Sequence, residues 1–177
     1  MQFFTLAIAS LSLLASVDSQ AVNSPDTLKK IYNAHNCLRK AHGSRPLSVD
    51  KALEKQAQNY ANKLAKDNRG LVHSKSNGKY GENLAWGSGS NSKSIALKSP
   101  QMWYDEYKLY NFNKATFSSG TGHFTQVVWK GSKSIGCGIA KSNGGGTFTV
   151  CQYKPAGNMM GQFKQNVVPS KCGAPSC

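Results

Sequence analysis

The sequence predicts an α+β fold in which helices pack on a mostly antiparallel sheet. Two observations lead to this prediction. Apolar residues recur at helical spacing in the first part of the chain, and stretches typical of strands, joined by hairpin-length turns, dominate after residue 123. Helices that precede a run of strands favour an α+β domain over an alternating α/β one. Roughly 155 residues follow the N-terminal segment, enough for one domain with its own core.

The N-terminal stretch MQFFTLAIASLSLLASVDSQA has the composition of an export signal. Residues 3–17 are uncharged and apolar or small, a run too short to span a bilayer comfortably but typical of a signal-peptide core. We therefore predict a signal peptide at 1–19, a secreted mature chain and no transmembrane segment. The alternative interpretation is a buried N-terminal helix or strand.

Three helices are predicted from capping residues and apolar spacing. The run SPD at 24–26 supplies a capping hydroxyl, a proline at the first helical position and an acid in the first turn, and Gly43 closes this helix. A second helix with one apolar stripe runs from Asp50 to the turn at 68–70. A third is expected to begin at Ser99-Pro100.

Four stretches are typical of strands. They are NLAW at 83–86, HFTQVVW at 123–129, SIGCGIA at 134–140 and TFTVCQY at 147–153. The last two flank a glycine-rich turn at 142–146. If Ser142 faces Gly146, Cys137 lies directly opposite Cys151, and a cross-strand disulfide between them is geometrically reasonable.

The chain has five cysteines, most of which should be oxidised in an exported protein. Their odd number means that at least one is free or pairs between chains. Cys172 and Cys177 lie in a tail that we expect to be irregular and held in place by one or both of them.

The net charge of +14 favours anionic partners such as membranes, cell walls or acidic glycans. The 22 lysines and arginines are scattered and never form a block of five or six. A solvated basic surface is therefore an equal alternative to a dedicated binding patch, and no nucleic-acid partner is expected.

Four polar residues stand out as candidate site residues. Glu82 lies in YGENLAW, where no helix uses it as a cap, and Glu106 lies beside aromatic residues. His73 follows the second helix and His123 opens the HFTQVVW stretch. Two imidazoles and two carboxylates suit a divalent metal such as zinc, or a set of hydrogen-bonded buried polar groups. Their spacing alone does not bring them together.

The polar segment after Glu106 carries three aromatic residues, Tyr110, Phe112 and Phe117. Burying such a side chain contributes about 1.5–3 kcal/mol, so each needs an apolar partner. That partner is either the domain core or an apolar ligand, and composition favours the core.

Four motifs in order resemble the signatures of the CAP superfamily, which includes cysteine-rich secretory proteins, insect antigen 5 and plant pathogenesis-related proteins of the first class. They are HN-x-x-R at 35–39, GENLA at 81–85, GHFTQVVW at 122–129 and CQYKPAGN at 151–158. The resemblance covers 28–168, with a lead at 20–27 before it and the cysteine-containing tail at 169–177 after it. MWYDEY at 102–107 looks most like the yeast pathogen-related secreted branch.

The resemblance implies a three-layer α-β-α sandwich. It implies that His73, Glu82, Glu106 and His123 meet in a cleft that binds Zn²⁺ or Mg²⁺ in some members. It also implies that Tyr110, Phe112 and Phe117 belong to a loop that contributes to sterol binding in the yeast-like branch. His42, near a helix end, and Thr149, a departure from the family pattern, are expected to be exposed.

The predicted function is therefore extracellular binding of a sterol or related lipid, with export of that lipid, and no catalysis. A secreted effector, toxin or antigen acting on another organism or a channel is the alternative. A metal-assisted hydrolase is less favoured, because the sequence offers no convincing nucleophile and no metalloprotease motif. The oligomeric state and the identity of the lipid are not fixed by the sequence.

Overall fold

The computed structural model describes residues 22–171, 173, 175 and 177, so the predicted signal peptide and Cys172 lie outside the described residues. The helices are α1 Pro25–Ala41, α2 Lys51–Asp67, α3 Ser92–Asp105, α4 Gly122–Val128 and α5 Phe163–Asn166. The strands are β1 Ser48–Val49, β2 Gly81–Ser88, β3 Ser134–Lys141 and β4 Gly146–Lys154. A 3-10 helix, Glu106–Leu109, follows α3 directly.

The four strands form one sheet in the order β1-β3-β4-β2. β4 pairs antiparallel with both β2 and β3, and the short β1 pairs parallel with β3. The predicted hairpin register is confirmed, because Cys137 faces Cys151 and the Ser142 N–H donates to the Gly146 carbonyl at 2.7 Å. The two cysteines form a disulfide.

Local capping explains why α1 and α2 begin where the sequence predicts. The Ser24 hydroxyl accepts the backbone N–H of Thr27, and Pro25 opens α1. The Asp50 carboxylate accepts the first free N–H groups of α2. α2 ends at Asn68, whose φ of 46° is left-handed.

Helices cover both faces of the sheet, which confirms the α-β-α sandwich. On one face α2 packs against the sheet around a small core. The buried apolar residues of this core, from α2 and from the strands, are Ala57, Ala61, Leu64, Ala65, Leu84, Ala140, Phe148 and Val150. On the other face α1, α3 and α4 pack a larger core that includes Trp103, Phe124 and Trp129. No helix in the described part of the chain has both the length and the apolarity to cross a membrane.

The expectation that Thr149 faces solvent is wrong, because the side chain is buried. It lies on β4, the central strand between β2 and β3, and helices cover both sheet faces there. Alternation along a strand predicts exposure only where one face of the sheet is open to water.

HFTQVVW, predicted as a strand, is the helix α4. Phe124, Thr125, Gln126, Val127 and Val128 are all buried. A short run that is buried on every side carries no periodicity that separates helix from strand. The helix is also stabilised from elsewhere in the chain, because the Glu106 carboxylate accepts the backbone N–H groups of His123 and Phe124 at 2.9 and 3.2 Å.

α3 begins at Ser92, about two turns before the predicted start at Ser99-Pro100. Asn91 caps it by accepting the backbone N–H of Ser94 at 2.9 Å. This cap lies in a Gly-, Ser- and Asn-rich stretch that is typical of a loop, so the composition concealed it. β2 is longer than predicted for the same reason, since its first and last residues are glycine and serine.

The C-terminal segment is held against α1, as the cysteines led us to expect. Cys37 in α1 forms a disulfide with Cys177, and the backbone N–H of Lys171 donates to the Ala41 carbonyl at 3.0 Å. The expectation that His42 is exposed is wrong. This segment covers its ring, whose Nδ1 lies 2.6 Å from the Val168 carbonyl oxygen.

Arg39 is a fully buried cation in the middle of this framework. Its guanidinium donates to the carbonyl oxygens of Arg45, Val127, Trp129 and Ser132 at 2.9–3.1 Å. These bonds join α1 to the loop before β1 and to the turn between α4 and β3.

Close packing of α2 on β3 makes Gly138 a sensitive position. A Cβ on Gly138 would lie 2.3 Å from the Gln58 Cα and backbone nitrogen. We expect Gly138→Ala to lower the free energy of unfolding by about 3 kcal/mol, the upper part of the usual range for overpacking. Gly144→Ala is the matched control in the same hairpin, since its Cβ would meet only side-chain atoms at ordinary contact distance, Asn68 Nδ2 at 3.4 Å and Ser142 Oγ at 4.0 Å. Equal urea midpoints for the two variants would contradict this prediction.

A buried neutral histidine makes the fold acid-sensitive. His35 lies between the Ile31 carbonyl, 2.8 Å from Nδ1, and the Tyr153 hydroxyl, 2.9 Å from Nε2. Burial lowers the pKa of His35 from 6.5 to about 4. Below pH 6.5 the unfolded chain therefore binds a proton that the folded chain does not bind until about pH 4. The free energy of unfolding consequently decreases as the pH is lowered from 6.5 to about 4.

We expect the loss from this one group to approach about 1.4 kcal/mol per pH unit within that window. The measurement is urea unfolding of wild type and His35→Gln at several pH values from 7 to 4.5. Other groups, including His42, whose pKa burial also lowers, remain in both proteins. The variant should therefore show a shallower dependence, and parallel curves would exclude His35 as the cause.

Candidate functional site

Glu82 and His73 form the first of two histidine–carboxylate pairs. Glu82 lies on β2 with its side chain only 5% exposed, whereas the His73 ring is 60% exposed. His73 Nδ1 lies 2.9 Å from Glu82 Oε1. Ser74 donates to the same carboxylate through its backbone N–H and its hydroxyl, and the Gln152 amide donates to it at 2.9 Å. β2 thus holds a buried carboxylate that four donors fix in place.

These donors determine the charge of Glu82. Burial alone would raise the pKa of Glu82, but the hydrogen bonds from His73, Ser74 and Gln152 outweigh burial and hold its pKa below the ordinary value. Glu82 is therefore a carboxylate at neutral pH and a fixed negative charge beside the imidazole of His73.

Glu106 and His123 form the second pair. Glu106 begins the 3-10 helix and His123 lies in the first turn of α4. His123 Nδ1 lies 2.7 Å from Glu106 Oε1, and Glu106 Oε2 accepts the backbone N–H of His123. One carboxylate therefore orients the ring and the start of α4 together.

Tertiary contacts link the second pair to the sheet. The Asn83 amide donates to the His123 carbonyl at 3.1 Å, so the residue after Glu82 on β2 contacts His123. The Trp103 ring stacks on the His123 ring with centroids 6.4 Å apart, and its indole N–H donates to the Leu84 carbonyl at 2.9 Å. The predicted four residues are thus arranged as two pairs attached to β2.

The expected four-residue metal site is not confirmed. Among the described residues no group of three or more His, Cys, Asp or Glu side chains is placed to hold a metal ion. Each histidine directs Nδ1 to its carboxylate, and within the described chain Nε2 of His73 and of His123 has no hydrogen-bond partner. A carboxylate on one ring nitrogen is the usual companion of a metal on the other. The donor set therefore fits imidazole ligation, with the carboxylates behind the imidazoles.

The aromatic segment divides between the core and the surface. Tyr110 is buried, and half-buried Phe112 packs against it edge-to-face with ring centroids 4.9 Å apart. Both rings contact Phe124 of α4. Phe117, in contrast, is 47% exposed and touches Phe163 with centroids 6.4 Å apart. Two of the three predicted residues anchor the loop, and only Phe117 projects to the surface.

Phe117 belongs to a group of exposed apolar side chains that we call the apolar patch. Its members are Leu109, Phe117, Met159 and Met160, and the most exposed are Leu109 at 74% and Met160 at 71%. A Cβ on Gly122 would lie 3.1 Å from the Phe117 ring, and one on Gly120 would lie 4.0 Å from Leu109. The Asn158 amide, next to Met159, donates to the Gly122 carbonyl at 2.9 Å. These contacts place Leu109, Phe117 and the loop that carries Met159 and Met160 around the start of α4.

The sequence interpretation missed Leu109, Met159 and Met160. Single exposed apolar residues carry no periodic signal, because much of any protein surface is apolar. The adjacent pair Met159-Met160 in a Gly- and Pro-rich loop was the one local clue.

A cavity of about 400 Å³ borders the first pair at His73. Its wall combines apolar Leu64 and Val72 with the cationic Lys63, Arg69 and Lys75. It lies between the end of α2 and the loop that follows.

Comparison with known proteins identifies the family. The model of the cysteine-rich secretory protein (CAP) family matches residues 32–153. The chain belongs to the CAP family. Human Golgi-associated plant pathogenesis-related protein 1 is 45% identical to it over 147 residues, which cover 80% of this chain and 92% of that protein. Protein PRY2 of Saccharomyces cerevisiae is 42% identical over 147 residues, which cover 81% of this chain and 42% of PRY2.

A solved CAP-type structure shares the fold. The crystal structure of NaASP2 with Zn²⁺ superposes with a TM-score of 0.67 at 26% identity, covering 83% of this chain and 88% of that one. The family assignment and the three-layer fold predicted from the motifs are therefore confirmed. The predicted boundaries of the CAP domain, 28–168, enclose the matched region and stay a prediction.

Proposed function

We propose that this CAP protein is secreted and binds a sterol or related lipid at the apolar patch. The observation that carries the proposal is the clustering of Leu109, Phe117, Met159 and Met160 around the start of α4. Contiguous exposed apolar side chains on a soluble domain mark interaction sites. The resemblance to the yeast-like branch directs attention to the same segment.

The chemistry of the patch suits a sterol. A rigid ligand with a large apolar face and one hydroxyl needs apolar area and few polar contacts. The two methionines are flexible and polarisable, so they adapt to such a face. Tyr110 and Phe112 pack into the core beneath the same loop and hold it in place. Less conformational entropy is therefore lost when Phe117 binds a ligand.

Secretion and lipid binding combine into export. The two disulfides, Cys37–Cys177 and Cys137–Cys151, fit an oxidising compartment, and the N-terminal stretch has the composition of an export signal. A protein that binds a sterol and leaves the cell takes the ligand with it, so no chemistry on the ligand is required.

The arrangement of Ser74 supports binding over hydrolysis. Its hydroxyl donates to Glu82 at 2.6 Å and lies 2.9 Å from the Tyr80 hydroxyl. A serine nucleophile needs a hydrogen bond to a base such as imidazole, whereas the His73 ring is bonded to the same carboxylate as Ser74.

Substitution within the apolar patch tests sterol binding. We expect Phe117→Ser with Met160→Ser to raise the Kd for radiolabelled cholesterol at least tenfold, because the apolar contact area is lost. Val49→Ser with Leu71→Ser is the matched control, since these side chains are 43% and 47% exposed on other elements. The proposal fails if wild type shows no saturable binding or if the patch variant binds as wild type does.

A second candidate function rests on the free imidazole nitrogens. We propose that Nε2 of His73 and of His123 are the ligands for a divalent cation, with Glu82 and Glu106 fixing the rings through Nδ1. Of the two expected ions, imidazole ligands favour Zn²⁺ over Mg²⁺.

Calorimetric titration of the purified protein checks the metal proposal. We expect Zn²⁺ to bind with a stoichiometry of one, Mg²⁺ to bind far more weakly, and His73→Ala with His123→Ala to abolish the Zn²⁺ heat. Lys79→Ala, an exposed change in the loop after His73, is the control and should bind as wild type does. Unchanged Zn²⁺ affinity in the double-histidine variant would rule out this ligand set.

A further inference from the structure

A basic cavity lies beyond the opposite end of α4 from the histidine pair. Its volume is about 490 Å³, within the usual range of about 300–1,000 Å³ for small-molecule sites. Its lining residues are Gly43, Arg45, Pro46, Lys130, Ser132 and Lys133. Neither the sterol proposal nor the metal proposal uses any of them.

The cations of this cavity have no carboxylate partner. No described Asp or Glu lies within ion-pair distance of Arg45, Lys130 or Lys133. Every described acid instead contacts a group elsewhere. Glu82 and Glu106 contact their histidines, and the Asp50 carboxylate caps α2. The remaining contacts are Asp26 with Lys30 and Lys93, Glu54 with Lys51 and Tyr32, Asp67 with Lys63, and Asp105 with Lys108. The positive charge of the cavity is therefore uncompensated.

A buried cation behind the wall adds to this field. The Arg39 guanidinium donates to the Arg45 carbonyl at 2.9 Å and to the Ser132 carbonyl at 3.1 Å, and both residues line the cavity. Its two other bonds also go to carbonyl oxygens, so no negative charge neutralises it. Burial lowers the pKa of Arg39 only to about 10, so it is cationic at neutral pH. A buried charge is screened less than a surface charge.

A further lysine stands at the rim. A Cβ on Gly43 would lie 3.8 Å from Lys171 Cε. With Arg39, Arg45, Lys130 and Lys133, five cations surround one concavity that is free of described acids. An isolated surface lysine is ordinary, but a concave site lined by one sign of charge concentrates counter-ions.

We propose that this cavity binds a phosphate group, either free or as the headgroup of a lipid. Phosphate carries more than one negative charge and several acceptor oxygens, which a set of four or five cations can match. The Arg45 guanidinium can hold two of those oxygens side by side, while Lys130 and Lys133 act as point charges.

Titration with inorganic phosphate, followed by NMR at low salt, measures the affinity of the cavity for phosphate. We expect Arg45→Ala with Lys130→Ala and Lys133→Ala to weaken phosphate binding at least tenfold. All three side chains are exposed, so the fold should survive. The matched control is Lys55→Ala with Lys79→Ala and Lys114→Ala, which removes the same charge from exposed positions elsewhere and should change the affinity less than twofold.

Arg45→Lys separates geometry from charge. It keeps the net charge and loses the paired donors, so we expect a several-fold weaker phosphate Kd. Phe117→Ser with Met160→Ser should leave phosphate binding unchanged, which distinguishes this proposal from the sterol proposal. The inference is overturned if wild type does not bind phosphate, or if the triple variant of the cavity and the triple control variant lose phosphate affinity equally.

Co-sedimentation with vesicles distinguishes the two sources of the phosphate group. The probes are phosphatidylcholine vesicles with and without phosphatidic acid. A cavity-dependent gain in binding to the phosphatidic-acid vesicles supports a lipid headgroup. Phosphate binding that depends on the cavity without any such gain supports a free phosphate ligand.

Discussion

The buried guanidinium of Arg39 is the constraint on which the rest of the structure depends. It has no carboxylate to pair with, and its bonds go to four carbonyl oxygens from two segments of chain, the loop before β1 and residues 127–132. Removing a buried donor leaves such acceptors unsatisfied, at a cost of about 1–3 kcal/mol each. Arg39 therefore fixes where α4 ends and where β3 begins. Since α4 also carries His123 and borders the apolar patch, both candidate sites depend on this one interaction.

Dense packing on both faces of the sheet is the second constraint. α2 approaches β3 so closely that Gly138 can have no side chain, and β4 is buried along almost its whole length. Most polar groups in this interior have partners, as His35 does between Ile31 and Tyr153, but the Thr147 and Thr149 hydroxyls of β4 have none among the described residues. Ligands are consequently confined to the ends of elements and to loops, where the apolar patch and the basic cavity lie.

The sequence predicted elements whose signals are local. The Ser24 cap, the Asp50 cap and the hairpin turn at 142–146 each depend on residues within a few positions, and all three are present. α4 was misjudged because Glu106, which caps it, lies 17 residues away from His123. The same separation explains the site: its four members could be named from motifs, but their division into two pairs is set by tertiary contacts.

The apolar patch borders the start of α4 and the basic cavity lies beyond its end, and the helix between them is short. Seven residues span about 10 Å, a separation at which the effects of substitutions usually add. Surface changes in the apolar patch and in the basic cavity should therefore act independently, whereas a change at Arg39 should disturb both sites. A phospholipid has an apolar body and a phosphate group, and a sterol has only the apolar body. A single ligand that spanned the two regions would couple the effects of substitutions at the two ends of α4, whereas separate ligands would leave those effects additive.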